Sequence, residues 1–404
     1  MQEQMSVIPD TPIQRLSRDL RQAAATLSDD EARFIVDAYY IQQKDRIRMN
    51  NATKALERNG KPHSVIKYLT DQAEVLENQL KAALDRYSLA HEIGIWVRSL
   101  KGIGPVFAAG LMAHIDITRC PTAGAVWQFA GLNPNSVWHK GEWVADTYAN
   151  ASKTHGKGWP ALIEVCRSMG KRPLHILHEV GAIESIPSVE DARSVVEELE
   201  PETYAERCEF HADRVLLAMQ NPVAGYERLI GKFEFDEKPI LANLKKRPWN
   251  ADLKRLLFLV GESFVKVSGG DDPSPYGILY KERKEREIAK NEAGDFAPLA
   301  QRALTEKRYG VDTTARAYYE KGLLPPARIH LRAKRFAVKR FLSDYHLVAY
   351  WMHYKRLPPA PYILSVQSGQ AGQHAHYDVV IWDSLPKDLQ EALDRERKPS
   401  RKSA

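Results

Sequence analysis

Gly102 and Gly104 bracket Ile103, and Pro105 follows directly, inside the stretch VRSLKGIGPVFAAGL at 97–111. This run constrains the fold more than any other. Glycine reaches positive φ without steric cost, so it lets a chain reverse tightly. Proline is well placed at the first position of a helix, where an amide hydrogen has no partner to lose. The pattern predicts two short helices joined by a tight turn, with Leu100 and Ile103 pointing inward. The exposed amides of such a turn and helix start form a concave donor site for a phosphate. Lys101 at the tip adds a cation. A helix-hairpin-helix of this kind holds nucleic-acid backbone without reading bases. A plain structural turn between two core helices is the alternative.

Charge distribution supports a polyanion partner. The 404 residues carry a net +6. Segment 142–244 holds 11 basic and 18 acidic residues, which leaves 47 basic and 34 acidic residues elsewhere. A basic chain interrupted by an acidic block is expected to hold a separately behaving insert. Mean hydropathy is −0.44, and no apolar run is long enough to span a bilayer. The polar start, MQEQMSVIPD, lacks a signal-peptide layout. Cys120, Cys166 and Cys208 are scattered, which fits a reducing cytoplasm and argues against a disulfide framework or zinc finger.

Start signals at Thr11-Pro12 and at Ser28-Asp29-Asp30-Glu31 predict helices over 11–59, ended by Asn59-Gly60 and Pro62. Ile66, Leu69, Ala73, Leu76, Leu80, Ala83 and Tyr87 then follow a heptad seam. Two partners suit that seam: a second copy in a homodimeric coiled coil, or the preceding helix in an antiparallel pair. Thr122 caps a helix that Ala130-Gly131-Leu132-Asn133-Pro134 stops, and 135–160 reads as irregular. Segment 161–230 reads as helical with an acidic centre. Helices are expected over 251–267 and 279–292.

Segment 328–340 (RIHLRAKRFAVKR) has six cations and no acid. Continued to 353, it places Phe336, Phe341, Tyr345, Val348 and Trp351 on one face and cations on the other. Beyond Pro358, Pro359 and Pro361, residues 362–367 and 376–382 are candidates for a small β-hairpin, and 395–404 for a frayed basic tail. The fold expected is therefore mainly α. Its parts are a helical, coiled-coil region (1–92), a hairpin domain in two halves (93–141 and 245–357) around an acidic helical insert (142–244), and a C-terminal segment with the β-hairpin (358–404).

Candidate sites divide by chemistry. For DNA binding they are Lys101, Gly102, Ile103 and Gly104, with Arg332, Lys334, Arg335, Lys339 and Arg340. His374, His376 and Asp378 alternate, as metal ligands on one strand face would, though a surface strand carries the same pattern. His175, His178 and Glu179 form a similarly short cluster. Ser136 and Ser152 are candidate nucleophiles that nothing local activates. No phosphate-binding loop, nucleophile elbow or spaced acid set marks a cofactor. Mg2+ enters only if a partner supplies a nuclease domain.

The run SLKGIGPVFAAGLMAHIDITRCPTAGAVWQFAGLNP resembles the C-terminal domain of insertion-sequence transposases of the IS-one-ten and IS-one-sixteen group. The shared pieces are a G-I-G-P hairpin, an A-x-x-L-x-A-x-I helix, a short loop and a helix ending in A-G-L-x-P. The block Trp249-Asn250-Ala251-Asp252-Leu253-Lys254-Arg255-Leu256-Leu257 is similar to the same domain's G-N-x-x-L-R-R-x-L helix. The resemblance implies DNA transposition or recombination of a mobile element, with a guide RNA, a metal-binding RuvC-like domain and a catalytic serine, in a chain whose composition is expected of the cytoplasm. Three departures stand out. No strand with an aspartate opens the chain, Lys140-Gly141 occupies the serine-glycine position, and about a hundred residues separate the two matched blocks. Lysine cannot form the serine ester, so fold and DNA binding carry over further than catalysis. The readings open at this point are an active recombinase, a non-catalytic DNA-binding regulator or subunit, and an interaction scaffold.

Overall fold

The computed structural model describes residues 16–61, 63–133, 138–171, 173–182, 184, 236–306, 309–310, 312–359 and 379–397. The chain forms two compact units: Met1–Asn133 with Trp249–Ala404, and Pro134–Pro248. Among the described residues helices dominate both, and no strand occurs.

In the first unit, α1 (Arg18–Ala23) leads into α2 (Asp29–Arg58) and α3 (Ser64–Leu89). Ser28 and Glu31 start α2 with a reciprocal capping box. The two long helices pair within the chain. The Arg46 Nε–Glu77 Oε2 bond is 2.5 Å, the Thr53 and Thr70 hydroxyls are 3.2 Å apart, and Tyr87 donates to Asp29 at 2.8 Å. Advancing along α2 while receding along α3 makes the pair antiparallel. Ala73, Ala83 and Tyr87 of the heptad seam are buried here, while Leu69 and Leu76 stay 49% and 37% exposed.

Next come α4 (Glu92–Ser99), α5 (Pro105–His114) and α6 (Ala123–Phe129), with a 3-10 turn at Ile117–Arg119. In the second unit, α7 (Gly141–His155), α8 (Trp159–Ser168), α9 (Pro173–Glu179) and α10 (Glu237–Lys245) enclose Val144, Leu162, Val165, Ile176, Ile240 and Leu244. The sequence expectation of irregular chain over 135–160 is corrected by α7 and the start of α8. Val144, Tyr148 and Ala151 fall on one helical face, and burial of that face outweighs the poor helix propensity of Gly, Asn, Ser and Thr.

Back in the first unit, α11 (Ala251–Lys266), α12 (Pro275–Glu292), α13 (Ala297–Glu306), α14 (Thr314–Glu320) and α15 (Pro326–Tyr354) precede α16 (Lys387–Arg397). The 29-residue α15 runs through the core, burying Phe341, Leu342, Tyr345 and Val348 against Trp96, Leu100, Leu111, Leu257 and Phe264. Glu287 of α12 is buried between Arg283 (2.5 Å) and Arg332 (2.5 Å). Burial opposes its charge, but the two guanidinium bonds prevail and hold its pKa below the usual value.

The C-terminal β-hairpin is not seen. Residues 362–367 and 376–378 lie outside the described residues, and Trp382 opens a 3-10 turn, Trp382–Ser384, rather than a strand. Trp96 ties that turn down by donating to the Ser384 carbonyl at 2.8 Å. Arg395–Arg397 extend α16, and the remainder of the expected basic tail lies outside the described residues.

Candidate nucleic-acid interface

The glycine turn is built by local bonds and clamped from one side. Ile103 N–H donates to the Leu100 carbonyl at 3.0 Å, and Leu100 and Ile103 are 6% and 5% exposed. Gly102 sits at φ +101°, and a Cβ there would lie 3.1 Å from Val267 Cγ2 and 3.4 Å from Phe264 Cδ1. Ser263 Oγ donates to the Gly102 carbonyl at 2.7 Å. The turn thus rests on the C-terminal end of α11.

Gly104 caps α5 in an extended conformation with no side chain to occupy the helix start, and Pro105 follows as its first residue. Ala108 N–H makes the first intrahelical bond, 3.0 Å to Gly104 O. The Val106 and Phe107 amides therefore precede the ladder, where the positive end of the helix dipole also lies. A Cβ on Gly104 would meet no heavy atom within 4 Å, so that side of the residue is open. Lys101, three residues before Gly104 in the same turn region, pairs with Asp272 at 2.8 Å, and Asp272 is 88% exposed.

The cations of α15 have divided roles. Arg332 bonds Glu287 and lies over Phe296 at 4.6 Å. Lys334 is 4% exposed, bonded to Glu262 and 3.6 Å over Phe258. Lys339 lies 4.9 Å over Trp127, and burial, assisted by Arg335, pushes its pKa down. Arg340 is half-buried and Arg335 is exposed. Of the expected aromatic face, Phe341, Tyr345 and Val348 are buried, while Phe336 and Trp351 are half-buried. α11 supports both parts: a Cβ on Gly261 would lie 2.8 Å from Lys334 Cγ, and Ser263 and Val267 hold Gly102.

The two sequence blocks that resemble one domain meet in space. Asn250 N–H donates to Phe129 O at 2.8 Å, and Asn250 Oδ1 caps α11 by accepting from Asp252 and Leu253. Gly131, at φ +64°, packs so closely on Trp249 that a Cβ there would lie 2.8 Å from Trp249 Cγ. Gly110 of α5 likewise lets Leu256 approach to 2.8 Å of where a Cβ would stand.

Sequence reasoning missed a polar cluster drawn from α2, α5 and α11. His114 is 9% exposed, and its Nδ1 has no hydrogen-bond partner. Burial first, then Arg33, lowers its pKa, against the opposing fields of Asp252 and Asp37. Partial burial and Asp252 raise the Asp37 carboxyl. These residues come from separated segments, so no spacing rule brings them together.

Ser152 lies in α7 with its hydroxyl buried, and Lys140 stands exposed before Gly141 at the start of that helix. Ser136, His374, His376 and Asp378 lie outside the described residues, as does the side chain of His175. Among the described residues no cluster of three or more His, Cys, Asp or Glu side chains could hold a metal ion. None of the described helices is long and apolar enough to cross a membrane.

Residues 96–138 match the family model described as Transposase IS116/IS110/IS902 family. No curated protein and no solved structure matches the chain. The matched segment begins at Trp96 and takes in the glycine turn, α5 and α6. Over that segment the chain is similar to the transposase domain of the IS116/IS110/IS902 family, which supports a role in transposition.

Proposed function

We propose that this is a cytoplasmic, transposase-type DNA-binding protein that grips duplex backbone at the Gly102–Gly104 turn. The observation that carries the reading is the open start of α5 beside Lys101, inside the segment that matches the transposase family. One phosphate fits against the Val106 and Phe107 amides. Lys101 is available to it because exposed ion pairs such as Lys101–Asp272 are worth no more than about 1 kcal/mol. Arg335 and Lys339 supply further sequence-independent attraction, whereas Arg332 and Lys334 chiefly neutralise Glu287 and Glu262. The reading covers binding and assigns no nucleophile. A second copy of the chain, meeting it through α3, would present two turns to one duplex. The family likeness adds a guide RNA as a partner.

Duplex binding measured across a salt series tests it. The expected result is affinity independent of base sequence that falls with salt by roughly 0.9 log units per log unit for each phosphate neutralised. Lys101→Glu and Arg335→Glu should each weaken binding and flatten that slope by about one phosphate's worth. Salt-insensitive binding, or none, would leave the turn as scaffold in an interaction protein.

A further inference from the structure

The second unit carries a basic, aromatic surface that the hairpin reading does not use. Trp138, His139 and Trp143 lie at and just before the start of α7, and Lys245, Lys246 and Arg247 lie at and just after the end of α10. Trp138 Nε1 donates to the Lys245 carbonyl at 3.0 Å, and the Arg247 guanidinium lies 4.9 Å over the Trp138 ring. The Lys245 stem passes over Gly141, with its Cδ 3.5 Å from where a Cβ would stand. Glycine there leaves room for that lysine. His139 and Trp143 stack with centroids 4.0 Å apart and planes 26° from parallel.

Core packing does not require that stack. Val144, the next residue, is fully buried, whereas Trp143 turns away and is 38% exposed. Lys140, Lys245, Lys246 and Arg247 are all exposed, and no ion pair is formed by any of them among the described residues. Glu142 is the one acid in the first turn of α7. Planar rings already stacked in water, flanked by unpaired cations, match two needs of an unpaired nucleotide strand. Its bases need flat apolar faces, and its phosphates need positive charge. A duplex hides its base faces, so this surface suits a single strand.

We infer that Trp138, His139 and Trp143, with Lys140, Lys245, Lys246 and Arg247, form a binding platform for single-stranded nucleic acid. Bases extend the His139–Trp143 stack while the cations follow the backbone. Such a surface reads ring faces rather than base edges, so it tolerates sequence.

The test uses the full chain with fluorescent oligothymidylate and oligouridylate of about 20 nucleotides, longer than one binding fold occupies. Trp143→Ala should weaken single-strand binding about tenfold or more, and Trp143→Phe should restore most of it. Lys245→Glu with Lys246→Glu should lower the salt slope by roughly 0.7 for each phosphate that the variant no longer neutralises. The ratio of the two oligonucleotide affinities identifies the strand as DNA or RNA. Duplex binding measured alongside separates the two sites: Trp143→Ala should leave it unchanged, and Lys101→Glu should leave single-strand binding unchanged. Failure to bind either oligonucleotide, or an unchanged affinity in Trp143→Ala when the circular dichroism is also unchanged, overturns the inference.

Discussion

At the scale of single residues, His114 shows how a buried group makes stability depend on pH. Its folded pKa lies below the ordinary 6.5 because burial and Arg33 disfavour the imidazolium. Unfolding therefore takes up a proton between the folded value and 6.5, so stability rises with pH across that window. The contribution is complete above 6.5 and is lost as pH falls through the folded value. Urea unfolding at a series of pH values should show this as a midpoint that drops on acidification below 6.5. His114→Leu removes both the titration and the unpartnered nitrogen, so its midpoint should vary less over the same range. An equal acid dependence in the variant would assign the effect to other groups. Gly102 is the contrasting residue: its role is visible in the sequence because positive φ is a local requirement, whereas the surroundings of His114 come from three helices.

At the scale of elements, the apolar seam of α3 is buried at some positions and exposed at others. Ala73, Ala83 and Tyr87 are buried, but Leu69 and Leu76 remain exposed together with Val65, and Phe34 and Ile41 are exposed on α2. If these side chains meet a second copy, Leu69→Glu with Leu76→Glu should halve the mass measured by light scattering without loss of helix content. A wild-type chain that is already monomeric at micromolar concentration would remove α3 as a dimer surface. The same elements show what the sequence could carry. Ser28 and Thr122 announce helix starts because a cap is a bond between residues two or three apart. α7 has no such announcement: its helicity follows from burying Val144 and Ala151, whose spacing is obscured by the polar and aromatic residues around them. The face of α15 is only partly legible. Its period places Phe341, Tyr345 and Val348 in the core, but nothing local marks Glu262 and Glu287 as the partners that occupy Lys334 and Arg332.

At the scale of the molecule, the first unit is made from two lengths of chain that close on each other at Phe129–Asn250 and Gly131–Trp249. All four of these residues belong to the first unit. Replacing Pro134–Pro248 with a short glycine–serine linker should therefore leave a cooperatively melting helical domain, detectable by near-ultraviolet circular dichroism. A product without fixed aromatic signals would show that the second unit is needed to hold the two lengths together. The closure also has a consequence for how such a chain can change. A doubling of loop length adds only about 0.6 kcal/mol of closure entropy. The bond from Asn250 to Phe129 is a backbone bond, indifferent to the identity of whatever lies between. The position after Asn133 is thus a socket: segments of very different size and chemistry can be exchanged there while the turn at Gly102 keeps its support.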